Sequence, residues 1–351
     1  MDLKQPGIRV LIVDDSLLFR VKFENAINED PEITVVGTAG SAIEAMQKIE
    51  QLKPNVITLD VEMPKMSGIE FLKKLLPLHP LPVLVVSSLP ESALDALEAG
   101  ALDFVEKPTV NTPADLALFF DSLKSKIKAI HNSKVRGPRV LTPPAQTGTK
   151  PVAFPAHMDG GLAVIAIGAS TGGTEAIIQV VKDLPPTTPG IIIVQHMPAG
   201  FTKLYSERLD RVCQMSAKEA QDGDRVETGK IIVGAGDFHL TLKRDAKGYF
   251  VRSQKGEKVS GHCPSVDVMF QSAATEAGAH CIGVILTGMG ADGAKGITQL
   301  RQTGAYTIGQ DQESCVVYGM PMEAYKLGGI SKQLPLTQIG QEILMQLSRK
   351  H

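Results

Sequence analysis

The chain has 351 residues, 43% of them hydrophobic and 21% charged, with a formal net charge of -2. That length exceeds one ordinary core and predicts two domains, while the near-neutral balance excludes the basic surface by which nucleic-acid binders hold phosphate. The first apolar stretch is too short, and too soon followed by acids, for a signal peptide, and no run approaches a membrane span; a cytoplasmic protein without direct membrane insertion is expected. Cys213, Cys263, Cys281 and Cys315 are far apart with no C-x-x-C pair, which reads as reduced thiols and neither a zinc site nor a disulfide framework.

Short apolar runs alternate with amphipathic stretches along most of the chain, the pattern of α/β domains built on parallel sheets. In the first part, "IRVLIVDDS" stops on Asp14 and Asp15, "NVITLDVEMP" on Asp60, "PVLVVSS" on Ser87 and Ser88, and "DFVEKP" on Lys107. The crevice of an open parallel sheet lies beyond the carboxyl ends of its strands, so these groups are expected to converge. Clustered carboxylates repel unless a cation lies among them, and few carboxylates with room for water and phosphate suit Mg²⁺. The Lys107 ammonium suits a phosphoryl group arriving on one of the acids. The plainer reading, acids that merely end strands and cap a helix beginning near Leu17, does not account for four strand ends that agree.

These motifs resemble the response-regulator receiver domain over residues 1–125. The resemblance implies a flavodoxin-like fold and phosphorylation of Asp60 by a chemotaxis histidine kinase. It also implies that Asp14, Asp15 and Asp60 hold Mg²⁺ with the main-chain carbonyl of Glu62, that Ser87 and Lys107 read the phosphoryl oxygens, and that Phe104 is the switching aromatic. The connection "SSLPESALDALEAG" after the fourth strand is shorter than is usual, which bears on the fourth helix and not on the acids.

From Lys124 to Lys150 there are seven basic residues and no acid, and the later part is rich in Pro, Gly and Thr. Without interleaved aromatics this reads as a solvated helix end running into a linker, taken here as residues 126–160, and not as a nucleic-acid patch.

The second domain, residues 161–351, opens with "VIAIGASTGG", a buried strand that ends on a serine among small residues. A Gly-rich turn there suits either a nucleophile ahead of a helix N-terminus or a dinucleotide phosphate. The next strand, "GIIIVQHMP", ends on His196, where a nicotinamide site would place an acid for the ribose. A third strand over Ile282 to Leu286 leads through a glycine loop to Asp292. Ser170, His196 and Asp292 then meet beyond parallel strands as nucleophile, base and orienting acid, with glycines 288, 290 and 293 exposing N–H groups to an oxyanion. A simple helix N-cap is the alternative for Asp292.

"GASTGG", "VQHMP", "GHCPSVDVMF", "ILTGMGADGAKG" and "ESCVVYGMP" resemble the catalytic domain of the CheB methylesterase family. With the receiver, the expected architecture is two doubly wound parallel-sheet domains in series, flavodoxin-like and then Rossmann-like. The resemblance implies hydrolysis of glutamate methyl esters on chemoreceptors to glutamate and methanol, with glutamine deamidation in many members, and no cofactor for the esterase. It implies an oxyanion donor in the N–H of Met289 with Thr171 beside the nucleophile, and an unphosphorylated receiver that obstructs receptor access. Cys263 stands where relatives more commonly carry arginine. A regulator whose second domain only binds a partner is the competing class; a DNA-binding output domain is disfavoured, since the second half reads as α/β throughout and lacks a compact helical unit with a basic recognition helix.

Overall fold

The computed structural model describes residues 7–108, 112–133 and 163–349. The chain divides into two compact units, Met1–Ala145 and Gln146–His351.

The first unit alternates β1 (Ile8–Val13), α1 (Leu17–Asn28), β2 (Ile33–Ala39), α2 (Ala42–Leu52), β3 (Val56–Asp60), α3 (Gly68–Leu75), β4 (Val83–Ser87), α4 (Pro90–Glu98), β5 (Asp103–Glu106) and α5 (Pro113–Ile130). All neighbours in its sheet are parallel, in the order β2-β1-β3-β4-β5. This is the flavodoxin-like order expected, with its switch point between β1 and β3. Strands β3 and β4 are buried throughout because helices cover both faces of the sheet, hence their continuous apolar runs. Ser16, and not Asp15, caps α1 by accepting from the Phe19 N–H. The short fourth connection still forms a helix, α4, with Pro90 in its first turn.

Helix α5 continues past residue 125 to Ile130, and both Ile127 and Ile130 are buried. The basic residues at its end are paired: Lys126 with Asp103, and Lys128 with Asp30 and Glu32. The linker expected over 126–160 therefore overlaps this helix, and residues 134–162 lie outside the described residues.

The second unit contains β6 (Val164–Ala169), α6 (Gly173–Val181), β7 (Ile191–Gln195), α7 (Phe201–Val212), β8 (Ser216–Glu219) and β9 (Lys230–Val233). It continues with β10 (His239–Asp245), β11 (Gly248–Gln254), α8 (Val266–Glu276), β12 (Cys281–Ile285), α9 (Ala294–Gln302), β13 (Tyr306–Gln310), α10 (Met320–Lys326), β14 (Lys332–Leu334) and α11 (Leu336–Arg349). Its seven-stranded sheet is parallel throughout, ordered β14-β13-β12-β6-β7-β9-β8. The chain winds outward from β6 in both directions, as in a Rossmann-like sheet, so the switch point falls between β6 and β12. Two features depart from a plain alternation. The edge is entered out of turn, β8 lying outside β9, and β10 and β11 form a separate antiparallel hairpin. Leu240, Leu242 and Val251 of the hairpin share a core with Val266, Met269 and Phe270 of α8. Among the described residues no helix is long and apolar enough to cross a membrane.

Candidate active site

The acids of the first unit meet as their strand ends require. Asp14, Asp15 and Asp60 each offer a carboxylate oxygen, all within 4.8 Å of one another. Lys107 Nζ reaches Asp60 Oδ2 at 2.6 Å and Asp14 Oδ2 at 2.9 Å. Burial pushes the Asp14 carboxyl above its usual range, helped by the Asp60 charge and opposed by Lys107. Burial works against the Lys107 charge, yet its bonds to Asp60 and Asp14 outweigh this and raise its pKa. Three carboxylates against one ammonium leave net negative charge in a small pocket, a hard-oxygen set that fits Mg²⁺. The N–H of Glu62 donates to Asp60 Oδ1 at 3.0 Å. The remaining expected residues are engaged in other contacts. Ser87 is fully buried, and its hydroxyl exchanges hydrogen bonds with the backbone of Leu89. Phe104 is buried beneath Lys126, whose Nζ lies 5.3 Å from the ring centroid.

In the second unit the turn that carries Ser170 is held from both neighbouring strands. The Ser170 N–H donates to the Thr287 carbonyl after β12 at 3.0 Å, and its carbonyl accepts from Gln195 Nε2 at the end of β7 at 2.9 Å. The small neighbours of Ser170 are explained by close approach. Gly172 has φ +75 and a Cβ there would lie 2.6 Å from the Val316 side chain, so only glycine fits the N-cap of α6. A Cβ on Gly288 would lie 2.9 Å from Ser170 Cβ; the loop carrying Met289 therefore runs against Ser170. Thr171 is buried, and its carbonyl accepts from Thr287 Oγ1 at 3.0 Å.

The His196 N–H donates to the Ala169 carbonyl, one residue before Ser170, at 3.2 Å. Its imidazole is 7% exposed and its Nε2 lies 2.8 Å from Asp292 Oδ2. Its other ring nitrogen, Nδ1, is buried without a hydrogen-bond partner. Asp292 accepts three further bonds: Ser265 Oγ at 2.8 Å and the Asp267 N–H at 3.1 Å on Oδ1, and the Val266 N–H at 2.7 Å on Oδ2. Burial by itself would raise the Asp292 pKa, but the bonds from His196, Ser265 and Val266 more than offset it and hold the carboxyl below its ordinary value. An ionised carboxylate only accepts, so the His196 Nε2 donates its ring proton to Asp292. The N-cap alternative for Asp292 is met in an unexpected way, since the carboxylate serves the N-terminus of α8 and not of its own helix, α9.

Sequence reasoning missed Ser265, Asp267 and His262, although the motif "GHCPSVD" contains them. Ser265 is the N-cap of α8, and the His262 ring stacks on that of His196 with centroids 3.6 Å apart and 9° between planes. The signal for Ser265 was present, a serine followed by a valine and an acid at a helix start; that for His262 was not. Cys263 is half-buried, as are Cys213 and Cys315, while Cys281 is fully buried; all four are free thiols.

Known proteins match along the same lines. A profile of the CheB methylesterase matches residues 165–343, and one of the response regulator receiver domain matches residues 10–117. The chain is 52% identical over 336 residues to a protein-glutamate methylesterase/protein-glutamine glutaminase 2 of Syntrophomonas wolfei, covering 96% of each chain. It is 46% identical over 350 residues to a protein-glutamate methylesterase/protein-glutamine glutaminase of Syntrophotalea carbinolica, covering 98% of each. The crystal structure of the Thermotoga maritima CheB methylesterase catalytic domain is 37% identical, spans 53% of this chain and 99% of its own, and superposes with a TM-score of 0.52. With a methylesterase match over half of its length and relatives aligned nearly end to end, the chain belongs to the CheB methylesterase family, with a receiver domain preceding the methylesterase domain.

Proposed function

We propose that the protein hydrolyses glutamate methyl esters on chemoreceptors to glutamate and methanol, deamidates receptor glutamines, and is switched on by phosphorylation of Asp60. The observation that carries the reading is the unpartnered Nδ1 of His196, whose other ring nitrogen is bonded to Asp292, on a strand end paired beside the one that leads into Ser170. In this reading Nδ1 takes the Ser170 proton as Oγ attacks the ester carbonyl. The N–H of Met289, with Thr171 alongside, supports the oxyanion. The imidazolium, stabilised by Asp292, then protonates the departing methoxide, releasing methanol and leaving an acyl-serine. Water, giving a proton to the same nitrogen, attacks the acyl-serine, and the imidazolium returns that proton to Ser170 Oγ as it leaves, restoring the enzyme and leaving a glutamate side chain on the receptor; with glutamine the first leaving group is ammonia. The esterase uses no metal or other cofactor.

In the receiver, Asp14, Asp15 and Asp60 with the Glu62 carbonyl would hold Mg²⁺, which would supply positive charge against the incoming phosphoryl group. Asp60 accepts phosphate from a chemotaxis histidine kinase, Ser87 and Lys107 engage its oxygens, and Phe104 shifts with them. For Ser87 this requires its hydroxyl to leave Leu89. The reading assigns the protein to the cytoplasm, with neither nucleic acid nor a membrane as a direct partner.

The test is methanol release from a methylated receptor. The wild type should release it, faster with a small phosphodonor and Mg²⁺, and Ser170→Ala should not; a Ser170→Ala protein that keeps the wild-type rate removes the mechanism.

A further inference from the structure

The His196 ring is restrained by one hydrogen bond, Nε2 to Asp292, because Nδ1 has no partner among the described residues. A single bond on one edge does not by itself fix the plane of the ring, and a tilt about that contact would move the Nδ1 that the proposed mechanism uses as base. The remaining restraint is a face. His262 lies flat on His196, with centroids 3.6 Å apart and planes 9° from parallel.

His262 is itself firmly placed. Its N–H donates to the Val259 carbonyl and its carbonyl accepts from the Val259 N–H, both at 3.0 Å. The two residues between, Ser260 and Gly261, have φ 53 and 83, the pair of positive values that a type I′ turn demands. His239 straps the turn on both sides: its Nε2 lies 2.8 Å from the Glu257 carbonyl and its Nδ1 accepts from the Ser265 N–H at 3.3 Å. Ser265 also holds Asp292, so the turn and the orienting acid share one anchor.

We infer that His262 is a positioning residue for the proposed esterase, its ring face fixing the plane of His196 and presenting π density to the imidazolium formed during turnover. The inference rests on the Ser170–His196–Asp292 reading and concerns the plane of the base, not its identity.

The experiment uses the full-length protein and a methylated receptor, with kcat and KM measured for the wild type, His262→Ala, His262→Gln, His262→Phe and Ser170→Ala. Losing the ring face should lower kcat by roughly tenfold to a hundredfold, the cost of a misplaced catalytic group, with KM within about twofold. His262→Gln, which keeps bulk and polarity without a ring, should behave like His262→Ala. His262→Phe should recover to within about threefold of the wild type, because it restores the face. Wild-type kcat in His262→Ala or His262→Gln overturns the inference. So does a His262→Phe protein that folds and is no better than those variants, since the ring nitrogens would then be what matters. The control separates the two ideas: activity in Ser170→Ala defeats the triad reading, whereas an inactive Ser170→Ala beside an unaffected His262→Ala defeats only the positioning role.

Discussion

Asp292 and Asp267 each cap the other's helix. Asp292, just ahead of α9, accepts the Val266 and Asp267 N–H groups at the start of α8, and Asp267, in the first turn of α8, accepts the Gly296 N–H of α9 at 2.7 Å. Two buried acids so close repel, and their environments separate them. Burial raises the Asp267 pKa with the Asp292 charge adding to it, whereas the donors around Asp292 hold its pKa down. Asp292 thus stays ionised next to a helix N-terminus that favours negative charge.

This exchange predicts that Asp267→Ala destabilises the second unit by about 1–2 kcal/mol, the range of a lost N-cap. Denaturant midpoints would check it. Asp267→Asn should lose less, since its amide oxygen can still accept the Gly296 N–H, and equal losses would show that the charge and not the cap matters.

Ser170→Ala and His196→Ala should each lower the esterase rate by about three or more orders of magnitude, as removal of triad members does in other hydrolases. Asp292→Asn should lose about 10⁴-fold, because its amide favours the wrong imidazole tautomer. In the wild type, nitrogen-resolved NMR should find the bonded ring proton on His196 Nε2. A proton found on Nδ1 would contradict the assignment of the base.

A small phosphodonor with Mg²⁺ should label the wild type and not Asp60→Asn, and chelation should abolish labelling because unscreened carboxylates repel phosphate. Full labelling of Asp60→Asn would place the acceptor elsewhere. If the unphosphorylated receiver restrains the esterase, the fragment 146–351 should hydrolyse methylated receptor faster than the unphosphorylated full chain and ignore phosphodonor. A folded fragment no faster than the intact protein would refute that restraint.

Acid stability should report Glu342. Burial would raise its pKa, but Lys332, Gln346 and Tyr306 all donate to it and bring it down to about 2 from 4.5. A depressed carboxyl stabilises the fold fully above its unfolded value near 4.5 and loses that contribution as pH falls towards about 2. Glu342→Gln should cost on the order of 1–3 kcal/mol at pH 7, with the difference from wild type shrinking below pH 4. A difference that does not change with pH, measured by urea unfolding, would disprove the linkage.

The sequence by itself determined the sheet class and the end of the sheet where chemistry occurs. Buried parallel strands must be apolar throughout, so the polar groups that stop them, Asp14, Asp60, Ser170 and His196, stand out at their carboxyl ends. Only the tertiary structure decided what holds those groups. That Asp292 serves α8, that Lys107 bridges Asp14 and Asp60, and that His262 lies on His196 are contacts between residues distant in the chain, and no local period or spacing encodes them. The hairpin of β10 and β11 was missed for a related reason, since it is an antiparallel addition to a chain that otherwise alternates strand and helix. Which ring nitrogen of His196 bonds Asp292 and which is left over also belongs to the structure, because it depends on the edge of the imidazole that faces Asp292 once the strands are side by side.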